Sequence, residues 1–377
     1  MIYLDHAATT PVPRAVADAM YEVLTEQFGN PSSQYPMGLE MKRRVEVWRK
    51  TVADALGCGA KQLFFTSCGT EADNWAVTAA CWQNRHLGRH IVTTAVEHSA
   101  VLEPCRQLEQ EGYEVTYLKP DRTGHISAGQ VAEALREDTV LVSVMLVNNE
   151  TGCLFPVADI ARLLKERGSR ALLHCDAVQG FLKVPCAPAG WGVDLMSLSA
   201  HKIGGPKGIG ALYVRPDLRN LRPLLAGGGQ EEGLRSGTEA TAQIAGFAKA
   251  VALRQEGLEE KLAHMARIKA YCRERLLSIP GVVPVGGGEA PHILAVSLVG
   301  YPSANVINDL GSQGICLSAG SACHRGKASR GYAALGLDKR TAAGVLRLSF
   351  GPETTEGDID ALYEALLRHK NTRFSML

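Results

Sequence analysis

Between residues 62 and 214, short runs of β-branched and apolar residues alternate with longer amphipathic stretches, and few folds accommodate that pattern. Strands are expected at 62–66, 90–94, 114–118, 140–146, 171–176, 195–199 and 210–214, and helices at 71–84, 101–111, 127–135 and 157–167. Gly112 and Gly168 stand where glycine ends a helix. A strand followed by a helix and then another strand returns the chain in the same direction. The reading is therefore an α/β fold with a mostly parallel seven-stranded sheet flanked by helices. Beyond the glycine-rich stretch 226–233, a long charged helix is expected over about 240–279, closed by the Gly and Pro punctuation of 280–288. Strands at 293–298 and 345–350, with helices at 303–311 and 355–368, then form a smaller α+β domain. No internal repeat interrupts this order.

Charge and composition narrow the class of partner. Forty Lys and Arg against 39 Asp and Glu give a net charge of +1, so no global field recruits nucleic acid or an anionic membrane. No apolar stretch approaches the ~20 residues of a membrane span. The opening MIYLDHAATTPVP places Asp5 and His6 where a secretion signal needs basic residues and then an apolar run, so the expected location is cytoplasmic. The ten cysteines form no CxxC pair, so no metal site is expected, and in a reducing compartment most act as small core hydrophobes. A small-molecule enzyme is the expectation.

Chemistry concentrates at the ends of the expected strands. Lys202 follows the strand 195–199 among Ser199, His201 and several glycines, where an amine can form a Schiff base with a carbonyl cofactor; a solvated loop lysine is the alternative. Asp176 ends another buried strand and needs a cation, which a protonated pyridine nitrogen supplies, or else it caps a helix. Gln179 is then within reach of the ring hydroxyl. The turn 66–74 carries Gly69 and Thr70 at a helix start suited to a phosphate, although Thr70 with Glu71 also fits a plain capped helix. His98 and Asn149 follow two further strands; an imidazole there can stack on a flat ring or move a proton, or serve structure alone. Cys323 lies among Gly, Ser and Ala with Arg325, Lys327 and Arg330 nearby, the surroundings that favour a thiolate, whereas Cys316 reads as a core residue.

These segments together resemble the cysteine desulfurases of the NifS and IscS type, within the class V aminotransferase superfamily of fold-type I pyridoxal 5'-phosphate (PLP) enzymes. The resemblance runs from Tyr3-Leu-Asp-His-Ala-Ala-Thr-Thr through Gly29-Asn-Pro-Ser-Ser, Asn148-Asn-Glu, Asp176-Ala-Val-Gln, Ser199-Ala-His-Lys, Arg235-Ser-Gly-Thr and Ser321-Ala-Cys to Val345-Leu-Arg-Leu-Ser-Phe. It implies a large PLP-binding domain over 15–255 and a small domain made of 1–14 and 256–377. It implies Lys202 as the Schiff-base lysine, Asp176 and Gln179 tuning the ring, and His98 stacked on it. Gly69, Thr70, Ser199 and His201 would hold the phosphate, joined by Thr238 from the neighbouring subunit of a homodimer with shared active sites. Asn149 and Arg347 would bind the substrate carboxylate. The implied reaction converts L-cysteine to L-alanine through aldimine and ketimine intermediates and leaves the sulfur on Cys323 as a persulfide. The acceptor would be an iron–sulfur scaffold or a tRNA thiolation enzyme. Selenocysteine lyase and class V aminotransferase chemistry are the alternatives on the same site. The chain departs from the family pattern at Tyr35, where histidine is usual, at Cys68 in the phosphate turn, and in a shorter, Arg- and Lys-rich stretch after Cys323.

Overall fold

In chain order the strands are β1 (Ile2–Tyr3), β2 (Leu63–Thr66), β3 (His90–Thr94), β4 (Glu114–Leu118), β5 (Thr139–Ser143), β6 (Leu172–Asp176), β7 (Leu195–Ser199), β8 (Gly210–Val214), β9 (Val282–Pro284), β10 (Ile293–Leu298), β11 (Ile315–Cys316) and β12 (Val345–Ser349). They come from a computed structural model that describes residues 1–218, 221–320, 330–373 and 375. Seven strands form the main sheet in the order β2-β8-β7-β6-β5-β3-β4. Neighbours from β7 to β4 run parallel, while β8 is antiparallel to both β7 and β2. The connection 200–209 between β7 and β8 is too short for a crossover helix, so β8 must reverse.

The strand sequences are near-continuous apolar runs because both faces of this sheet are covered. All residues of β2, β3, β5, β6, β7 and β8 are buried, whereas the edge strand β4 is partly exposed. One face packs on a core containing Val142, Leu173, Met196 and Phe247, and the other on a core containing Trp75, Ile91, Leu141 and Leu212. The expected helices appear as Gly69–Gln83, Ser99–Gln110, Ala128–Ala134 and Val157–Glu166, and Gly112 and Gly168 take positive φ at the helix ends.

The helix expected over 240–279 is a correction: it is two helices, Thr241–Gln255 and Leu258–Leu277. Gly257 sits between them at φ 59°, left-handed backbone that a continuous helix excludes. Helices Arg14–Thr25 and Pro36–Leu56, which the strand–helix alternation does not include, both pack on Thr241–Gln255.

The C-terminal part contains the antiparallel sheet β12-β10-β9, and β1 pairs in parallel with β11. Asp5 bridges to Ser349, and Leu4 packs in a second core with Ile268, Leu294, Leu348 and Leu366. The start of the chain is thereby fixed to its end. Cys316, expected in the core, is only half-buried. Among the described residues no helix is long and apolar enough to cross a membrane.

Candidate active site

Because β2, β3, β5, β6 and β7 run the same way, the segments that follow them converge on one edge of the sheet, the edge that hosts ligands in open α/β sheets. A cavity of about 230 Å³ lies there. Its lining includes Gly69, Thr70, His98, Asn149, Asp176, Gln179, Ser199, His201, Lys202 and Arg347, ten positions that the sequence singles out. Thr238 is exposed and lies outside this lining, and Cys323 lies outside the described residues.

Asp176 is the last residue of β6 and is buried. It accepts the Val178 N–H at 2.9 Å, and burial raises its carboxyl pKa against the opposing influence of His98, that bond and Lys202. Lys202 Nζ donates to the carbonyls of Ala7 and Ala8 at 2.6 and 2.8 Å. Two backbone carbonyls from the chain start therefore orient the lysine across the cavity. Gln179 Nε2 donates to the same Ala7 carbonyl at 2.8 Å, and its Oε1 accepts from the buried Lys183 at 3.2 Å.

The turn expected to receive a phosphate starts at Cys68, extended at φ −174°, from which the helix Gly69–Gln83 begins. The first helical N–H groups have no partner within the helix and, with its dipole, attract an anion. A Cβ at Gly69 would come within 2.8 Å of Val178 Cγ2 and 3.3 Å of Ser199 Cβ, so only glycine lets the turn lie this close to β7. Ser199 Oγ is buried and has no hydrogen-bond partner among the described residues, an acceptor-seeking donor beside that turn. His201 Nδ1 lies 3.2 Å from Thr9 Oγ1; burial, then Lys202, Lys183 and Lys207, lower its pKa to about 3, so the ring is neutral at physiological pH. The turn is braced by Arg235, whose Nε donates to Glu71 Oε1 at 2.8 Å.

On the opposite wall, His98 caps the helix Ser99–Gln110 by accepting the Ala100 N–H at Nδ1, 3.1 Å away. In the neutral ring the proton is then on Nε2. Arg347, on β12 and 2% exposed, donates from Nη2 to Asp5 Oδ1 at 2.8 Å and from Nη1 to the Asn149 carbonyl at 2.9 Å, while Nε has no partner among the described residues.

Several site groups carry no local signal in the sequence reading. Asp73, one helical turn beyond Gly69, lines the cavity fully buried, and burial followed by the nearby Asp176 raises its pKa. Beneath it, His174 is held between Ser143 Oγ at 2.8 Å and Ser197 Oγ at 3.0 Å. Burial lowers its pKa to about 3, so it adds no charge. Asp5, Ala7 and Ala8 are recognisable only through the opening motif, since two of them contribute backbone carbonyls.

The aminotransferase class-V family model matches residues 2–362. A cysteine desulfurase IscS of Methanosarcina thermophila is 38% identical, covering 97% of this chain and 91% of the relative, and a putative cysteine desulfurase IscS 1 of Bacillus subtilis is 40% identical over 93% of each. The solved structure of a NifS-like protein superposes with a TM-score of 0.93 at 35% identity, over 99% of this chain and 100% of that one. SspA in complex with cysteine superposes with a TM-score of 0.81 at 32% identity, over 94% of this chain and 100% of that one. This chain belongs to the class-V aminotransferase family, with relatives named cysteine desulfurases matching nearly its whole length.

Proposed function

We propose that this protein is a PLP-dependent cysteine desulfurase that converts L-cysteine to L-alanine and retains the sulfur on Cys323. The observation that carries the reading is the convergence of Lys202, Asp176, His98 and Arg347, from four separate segments, on one cavity. The donor set suits PLP. Asp176 is a buried carboxylate whose pKa burial raises, Ser199 Oγ is an orphaned buried donor among the described residues, and Gly69 opens a helix start to a phosphate. When bound, PLP supplies a carbonyl for an amine and a ring that takes up electron density released at the substrate Cα.

The chain's own residues then have distinct tasks. Asp176 would keep the pyridine nitrogen protonated, Gln179 would serve the ring hydroxyl, and His98 would hold the face of the pyridine. Thr70, Ser199 and His201 would hold the phosphate, with His201 as a neutral donor. Arg347 and Asn149 orient the substrate carboxylate, a task suited to the guanidinium fork. Lys202 Nζ takes the proton from the substrate Cα. Cys323, as thiolate, attacks the substrate sulfur: an S–S bond forms, the Cβ–S bond breaks, and the three-carbon product gains protons to leave as alanine.

A homodimer accords with the surface. Tyr21, Leu24, Phe28, Tyr35, Met37 and Leu39 are all exposed large hydrophobics along the helices Arg14–Thr25 and Pro36–Leu56 and their connection, side chains that a partner subunit would cover. Thr238 is exposed and free to reach a partner's phosphate site. The division into 15–255 and 1–14 with 256–377, a cytoplasmic location, and sulfur delivery to an iron–sulfur scaffold or a tRNA thiolation enzyme complete the proposal.

The test is to incubate the protein with L-cysteine and a thiol reductant and to measure alanine and sulfide. Equimolar products from the wild type, lost in Lys202→Ala and in Cys323→Ala, are expected. Full turnover by Cys323→Ala would instead indicate a transaminase or lyase.

A further inference from the structure

Lys202 forms part of the wall of a second cavity, of about 400 Å³, whose lining includes neither His98 nor Asp176. Its other walls come from the segment after β1, from Lys183 beyond β6, from the helix Thr241–Gln255, from His292 just before β10, and from the turn after β12. Its charge is unbalanced: Lys183, Lys202, Arg254 and Lys261 face it against two exposed carboxylates, Glu256 and Glu353.

Lys202 and Lys261 each donate to two backbone carbonyls, whereas Arg254, Lys183 and His292 are less well served. Arg254, half-buried, donates from Nε to the Leu182 carbonyl at 3.4 Å and from Nη2 to Met265 Sδ at 3.7 Å, and the exposed Glu353 attracts it without forming an ion pair among the described residues. The side chain of Lys183, a residue 4% exposed, makes a single hydrogen bond among the described residues, to Gln179 Oε1. His292 is 1% exposed, and neither ring nitrogen has a partner among the described residues. His6 Nε2 lies 3.4 Å from Glu353 Oε1, but that carboxylate is 62% exposed. Burial lowers the pKa of Lys183, reinforced by Arg254 and Lys202, and that of His292, reinforced by Lys183, Arg254, Lys269 and His6. That shift favours the neutral forms of Lys183 and His292, so the cavity presents one guanidinium, on Arg254, beside buried donors short of acceptors, and a ligand carrying several acceptor oxygens and negative charge supplies what both lack.

We propose that this second cavity is a binding site for a small oxyanion of the phosphate or sulfate class, held by Arg254, Lys183 and His292. It is separate from the cofactor phosphate cradle, since Gly69 and Thr70 line only the first cavity. The site joins the helix Thr241–Gln255 to the segments flanking β10 and β12, so an occupied cavity resists unfolding.

The experiment uses the cofactor-loaded protein, whose own phosphate cradle is filled. Calorimetry and thermal unfolding are followed against sulfate and against phosphate at an ionic strength held constant with sodium chloride. Wild type should show saturable binding of one anion per chain and a matching rise in Tm. Arg254→Met and His292→Phe should each bind at least about tenfold more weakly, which is about 1.4 kcal/mol. Sulfate also stabilises proteins by exclusion from their surface, an effect that does not saturate. A non-saturating response that is the same in wild type and His292→Phe overturns the proposal, and the His292 variant decides the matter if Arg254→Met fails to fold. Cofactor loading is read separately from absorbance, so a failure of the PLP assignment is not confused with a failure of the anion site.

Discussion

Arg347→Lys provides the sharpest test of substrate recognition. The backbone of Arg347 is fixed independently of its side chain, because β12 pairs with β10 at Ala295 and the Arg347 N–H donates to the Ser318 carbonyl at 2.6 Å. The lysine variant therefore keeps the strand and one positive charge but loses the planar fork that a carboxylate accepts in two places. One charge-assisted hydrogen bond contributes about 1.5–3 kcal/mol. Losing one prong should thus lower kcat/KM for L-cysteine by roughly 10- to 150-fold, with KM carrying most of the change. The assay is alanine formation under reductant, paired with desulfuration of cysteamine, which has no carboxylate. Wild type should prefer L-cysteine strongly and Arg347→Lys should lose most of that preference while its cofactor absorbance stays unchanged. Equal losses on both substrates would refute the reasoning and leave Arg347 as a structural partner of Asp5, to which it already donates at 2.8 Å.

Three further outcomes are expected. Asp176→Asn removes the charge at the end of β6 and should lower turnover by roughly 100-fold, the order seen when one transition-state electrostatic partner is lost; unchanged turnover with normal cofactor content would contradict its role. Burial raises the Glu97 pKa to about 8, despite bonds from Met145 N–H and Thr94 Oγ1. The folded protein then holds a proton that the unfolded chain has released, so this group's contribution is full below about pH 4.5 and is lost as pH rises through about 8. Its slope cannot exceed about 1.4 kcal/mol per pH unit, and urea unfolding of Glu97→Gln across that range should be flatter than wild type; parallel curves would remove Glu97 from the account. Arg49 and Glu231 form a buried two-pronged pair at 2.7 and 2.8 Å, with the Phe65 N–H also donating to Glu231, so Glu231→Ala should destabilise by about 3–5 kcal/mol, and a loss below ~1 kcal/mol in chemical denaturation would show that the gap relaxes.

The sequence by itself determined the alternation of strands and helices, the strand ends at Asp176 and Ser199, and the reading of Lys202 and His98 as chemically loaded positions, whereas Arg347 came only from the family resemblance. Those are local matters: apolar period, glycine turns, and a costly charge at the end of a buried strand can all be read within a few residues. The break at Gly257 was also local, yet a single glycine among charged helix formers reads as tolerated until its φ of 59° is seen. Other features had no local signature. The carbonyls of Ala7 and Ala8 reach Lys202 across 195 and 194 residues, Asp5 meets Arg347 across 342, and Glu71 meets Arg235 across 164. The same holds for the crowding of Lys183, Arg254 and His292 around one cavity. Contacts of this kind follow from sheet register and from how the chain's two ends close on each other. Only the tertiary structure could decide them, because no periodicity in a single segment records which distant segment its side chains will face.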